Sequence, residues 1–72
     1  METRVFDITA TVLSTDGKHS ETFTIGEQVK NVQRFGIRVM FEPVSTHHLA
    51  GTYAMEWSVF EAITTAVRGA KA

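Results

Sequence analysis

The chain contains no cysteine, a single proline and almost no net charge, with seven basic side chains against eight acidic ones and a formal charge of −1 over 72 residues. The missing cysteine excludes a disulfide scaffold, a thiolate zinc site, an iron–sulfur site and a cysteine nucleophile. No apolar run approaches the roughly 18 residues of a membrane-spanning helix, so no membrane partner is expected. Met1-Glu2-Thr3-Arg4-Val5-Phe6 enters an alternating pattern without a hydrophobic leader, which reads as a cytoplasmic protein. The balanced charge argues against a polyanion binder that works by bulk electrostatics. A domain of this size buries only about 60% of the surface its unfolded chain exposes, so a deep substrate cavity would compete with the core for side chains. One small globular domain over residues 1–72 is expected, and an enzyme is not.

Alternation is the strongest pattern in what remains. Phe6, Ile8, Ala10 and Val12 are apolar and Asp7, Thr9 and Thr11 between them polar, the period of a half-buried strand from Val5 to Leu13. Asp16-Gly17 then predicts a two-residue type I′ hairpin with Thr15 facing Lys18. That register sets Val12 against Glu21, Ala10 against Phe23 and Ile8 against Ile25, with Thr11–Thr22 and Thr9–Thr24 paired on the opposite face. Residues 26–33 have mixed character and read as a connector. Arg34 to Glu42 alternates again, with Phe35, Ile37, Val39 and Phe41 on one face and Arg34, Gly36, Arg38, Met40 and Glu42 on the other, a third strand ended by Pro43.

Farther on, Tyr53, Trp57, Phe60, Ile63 and Val67 recur at steps of three and four, the stripe of an amphipathic helix that Gly69 would end. Two starts compete. Thr52 caps a helix from about Tyr53, or Ser58 with Glu61 forms a capping box and leaves 52–57 as a fourth strand; the longer helix is preferred. The expected fold is α+β, an antiparallel sheet of three or four strands packed on one face by a C-terminal helix.

Few residues carry a chemical signature. His47 and His48 lie in the aperiodic stretch 44–51, but adjacent histidines in an extended loop point apart, and no third ligand sits at a metal-binding spacing. A hydrolytic set can be assembled from Ser45, His47 or His48, and Asp7 or Glu56, without a nucleophile elbow or phosphate loop to support it. No catalytic residue, metal or cofactor is expected. Lys30, Arg34, Phe35 and Arg38 interleave cations with a ring, as nucleic-acid platforms do, yet the alternation puts Phe35 on the face opposite both arginines. A single helix covers one sheet face. The other, bearing Thr9, Thr11, Thr22, Thr24, Arg38 and Met40, is left for water, a second copy or a partner, and sheet edges invite strand addition or homodimer pairing.

The sequence therefore reads as a non-catalytic protein-binding module, a small regulator, inhibitor or accessory subunit. Its size is that of many phage and mobile-element products that target host machinery. The expected partner contacts are Lys30, Arg34, Arg38, Met40, His47 and His48. The alternative is nucleic-acid binding through Lys30, Arg34 and Arg38 on a sheet surface.

Overall fold

A two-residue turn at Gly36-Ile37 and a bulge at Asn31 decide how the middle of the chain folds, and both depart from the pattern read above. The computed structural model describes residues 2–67. Its elements are β1 (Glu2–Phe6), β2 (Ala10–Ser14), β3 (Ser20–Phe23), β4 (Gln28–Phe35), β5 (Arg38–Pro43), β6 (Tyr53–Glu56), α1 (Trp57–Ile63) and β7 (Thr64–Ala66). They form one antiparallel sheet in the order β3-β2-β6-β5-β4-β1-β7, curled into a half-barrel. The expected sheet of three or four strands under a long helix is thus replaced by seven strands and one short helix, 53% strand in all.

Each correction has a local cause. The strand expected from Val5 to Leu13 breaks at Asp7-Ile8-Thr9, where the Asp7 N–H donates to Ile63 O, and its halves join different neighbours. β1 pairs with β4 and β7, β2 with β3 and β6. The β2–β3 ladder keeps the expected register at Ala10–Phe23, Thr11–Thr22 and Val12–Glu21, but it stops there, and Ile8 and Ile25 lie exposed. The turn is not type I′, since only Gly17 takes positive φ, at 73°. Asp16 instead accepts the Ser14 hydroxyl and the Lys18 N–H. Asn31, at φ 54°, is the extra residue where the pairings of β4 with β5 and with β1 shift register. That bulge sets the buried Val29 and Val32 three apart and hides the period of a long strand.

The strand expected over 34–42 is a hairpin. Phe35 faces Arg38 and Arg34 faces Val39 across Gly36-Ile37. A two-residue loop puts residues i and i+3 on the same face, so the alternation changes phase at the turn. Gly36 takes φ 63°, and a Cβ there would meet nothing within 4 Å. Gly36→Ala therefore has a purely backbone cost, and its urea midpoint should fall by the equivalent of about 1–2 kcal/mol.

In the C-terminal part, strand prevails over the longer helix. Tyr53 and Met55 point inward at period two. The helix begins at Trp57 after Glu56, without a side-chain cap at either Thr52 or Ser58, and ends at Ile63 where the β-branched Thr64 turns extended. Gly69 lies outside the described residues.

The core is aromatic and lies inside the curl. Phe6 of β1 stacks on Phe23 of β3 with ring centroids 5.2 Å apart, although four strands separate β1 from β3 in the sheet order, so the curvature of the sheet itself encloses the core. Phe41 and Phe60 stack at 4.9 Å, and Phe60 is the helix's buried residue. Arg4 closes this end: its Nε donates to Thr64 Oγ1 at 2.7 Å and one Nη to Thr64 O at 2.9 Å, while its other Nη reaches Glu2. It supplies from β1 the cation that the last turn of α1 lacks.

Candidate functional site

The hairpin turn places Phe35 and Arg38 on the outer face of the sheet, with Met40 two residues along β5 and Ala54 beside Met40 on β6. Leu13 of β2 faces Ala54 and extends the row. Phe35 is 55% and Leu13 53% exposed, and Thr15, Phe35, Arg38, Met40 and Ala54 line a surface groove of about 350 Å³. Arg38 makes no side-chain hydrogen bond or ion pair with a described residue. On the flank of the same tip, Ile37 is 72% exposed beside Arg34, Glu56 and Trp57. The face carries cations at Lys30 and Arg38 and carboxylates at Glu42 and Glu56, its strand partners.

A second constellation lies at the other end of the half-barrel. The His48 ring, with its side chain 8% exposed, tilts over Phe23 at 4.5 Å. Its Nδ1 lies 2.7 Å from Glu21 Oε1 and its Nε2 2.6 Å from Glu27 Oε1. Glu27 also accepts the N–H and hydroxyl of Thr24. Burial pulls the His48 pKa down, but its hydrogen bonds to both carboxylates and their charges outweigh it, and the net shift is upward from 6.5. The His48 hydrogen bond chiefly holds Glu21 below its usual 4.5. Burial opposes ionisation of Glu27, yet the Thr24 and His48 donors take it below 4.5 as well. Tyr53 donates to Leu49 O at 2.9 Å, so its hydroxyl receives the Nε2–H of His19 at 3.0 Å. Burial raises the Tyr53 pKa.

These directions fix a pH window. The raised His48 pKa adds stability that is complete below about pH 6.5 and lost as pH rises through its folded value. The depressed Glu21 and Glu27 pKa values add stability present above about 4.5 and lost as pH falls through theirs. Urea unfolding followed across pH should show the cluster's contribution greatest between 4.5 and 6.5, and His48→Gln should flatten that maximum.

The six residues expected as partner contacts fall into four places. Arg38 and Met40 share the outer groove. Lys30 and His48 border a cavity of about 450 Å³ under residues 43–51. His47 is exposed, its N–H bonded to Ser45 Oγ. Arg34 lies on the inner face, opposite Arg38, with its guanidinium 4.9 Å from the Trp57 ring centre and its Nε donating to Gly36 O. The arginines therefore do not form the shared surface that the alternation predicted. Sequence reasoning missed Phe35, Leu13 and Ile37 as exposed apolar residues, and Glu21 and Glu27 as partners of His48. A signal for the first group was present: a glycine inside a strand pattern, Gly36, marks a bend. Among the described residues no cluster of three or more histidines and carboxylates is arranged to hold a metal, and no helix is long and apolar enough to cross a membrane. Comparison with family models, curated proteins and solved structures finds no match to this chain.

Proposed function

We propose that the chain is a non-catalytic protein-binding module, a small regulator, inhibitor or accessory subunit, which engages a polypeptide with the outer face at the β4–β5 hairpin tip. The observation that carries this reading is the exposed Phe35 ring beside Met40 and Ala54, with the Arg38 guanidinium, which pairs with no described side chain, in the same groove. Contiguous apolar surface rimmed by polar groups marks interaction sites, and an aromatic with an arginine is the usual composition of the residues that dominate binding energy. The partner supplies an apolar side chain to the groove and a carboxylate to Arg38. Catalysis has less support, because His48 spends both ring nitrogens on carboxylates. Nucleic acid has less support as well: Glu42 and Glu56 offset the two outer-face cations, and Arg34 is on the far face.

The test is capture from a lysate of the source organism on the immobilised chain and on Phe35→Ser, with and without nuclease. A stoichiometric protein held by the first and lost by the second, in both lanes, is the expected result. Retention abolished by nuclease would establish the nucleic-acid reading instead, and equal retention by Phe35→Ser would remove the hairpin tip from the contact.

A further inference from the structure

We propose that residues 44–52 form a pH-gated strap: His48, held as an imidazolium between Glu21 and Glu27, latches the segment across the Phe23–Tyr53 end of the core, and loss of one proton releases it.

The geometry demands the charged ring. A neutral imidazole has a single N–H, so one of the two contacts, at 2.7 and 2.6 Å, would set a nitrogen lone pair against a carboxylate oxygen. Only the doubly protonated ring donates to both, and at 8% exposure water cannot take the place of a missing donor. The hydrogen bonds that fasten residues 45–51 to the domain converge on one point. Among the described residues they are the two from His48 and that from the Tyr53 hydroxyl to Leu49 O. Two of the three come from the His48 ring, and loss of one proton turns one of these into a lone pair facing a carboxylate. The flanks are tied separately, Val44 N–H to Gln28 O and Thr52 O to the Thr15 N–H, so the segment can lift between fixed ends. Gly51, at φ 138°, supplies a backbone conformation that side-chain-bearing residues rarely adopt.

The other charged and titratable groups facing the latch are few. His19 stands near Glu21 and hydrogen-bonds the Tyr53 phenol, and Lys30 and Glu42 line the same pocket as the strap. The upward shift of His48 agrees with the geometry and places release above 6.5. Lifting the strap takes the His48 ring off Phe23 and bares aromatic surface at a second site, remote from the hairpin tip, as pH rises through the folded-state pKa of His48.

The experiment is NMR of the full chain from pH 5.5 to 9, following the three imidazoles and the backbone order parameters of residues 45–51. His48 should lose its proton above 6.5. Over the same interval the order parameters of the strap should fall from roughly 0.85, the value of rigid backbone, to below about 0.6, while those of β4 and β5 hold. Glu27→Gln should move both events together to lower pH, and His48→Gln should leave the strap loose throughout. Order unchanged while His48 titrates, or a Glu27→Gln strap that opens at the wild-type pH, would overturn the proposal; Glu27→Gln decides even where His48→Gln fails to fold.

Discussion

Phe41→Ala should lower the unfolding free energy by about 3–5 kcal/mol, the range for deleting a buried aromatic ring. Phe41 is fully buried and touches three of the other core rings: Phe60 at 4.9 Å, Phe23 at 5.9 Å and Phe6 at 6.2 Å. Those partners come from α1, β3 and β1, which are not adjacent to β5 in the sheet, so the void would open where the curled ends and the helix meet. A short chain has little stability to spare. Chemical denaturation should therefore find Phe41→Ala largely unfolded at room temperature, whereas Phe41→Leu should remain folded with a reduced midpoint.

The second large effect is at Arg4. Arg4→Ala should cost about 2–4 kcal/mol, because two charge-assisted hydrogen bonds to Thr64 disappear and the guanidinium no longer packs near the Trp57 and Phe60 rings. Thr64 Oγ1 would keep its bond to Phe60 O, but Thr64 O would lose its donor at the end of the helix. Arg4→Lys should recover less than half of the loss, since an ammonium cannot reproduce the planar fork that reaches both Thr64 oxygens. Arg34→Ala is the contrast. Its guanidinium also stacks on Trp57, but from an exposed position with one backbone acceptor, and its removal should cost less than about 1 kcal/mol. Urea unfolding of the three variants separates a buried arginine that joins β1 to α1 from a surface one.

How much of this was legible in the sequence depends on whether a segment's pattern was local. The β2–β3 register could be read because Ala10, Val12 and Phe23 fall on one face and Thr11 and Thr22 on the other, and a shift by one residue would have destroyed that segregation. The hairpin at Gly36-Ile37 escaped because alternation continues unbroken through a two-residue loop while its meaning inverts, so Phe35 passed for core and Arg34 for surface neighbour to Arg38. β4 was hidden by a single left-handed Asn31. In residues 53–66, Tyr53, Trp57, Phe60 and Ile63 fit a helical stripe, and only pairing with β5 and β1 from far along the chain turns both ends into strands. The Glu21–His48–Glu27 cluster could not be found at all: its members come from three separate segments, and only the curl of the sheet brings them together.

The turn at Gly36-Ile37 directs Phe35 outward, onto the surface proposed above for a partner. The most direct measurement takes Phe35→Ser and reads, on the same preparation, its urea midpoint and its affinity for the captured protein. Stability within about 0.5 kcal/mol of the unsubstituted chain is expected, as for an exposed residue, with an affinity at least roughly tenfold weaker, as for a residue central to binding. A loss of several kcal/mol in stability would mean that Phe35 belongs to the core after all, and unchanged affinity would mean that the partner binds elsewhere.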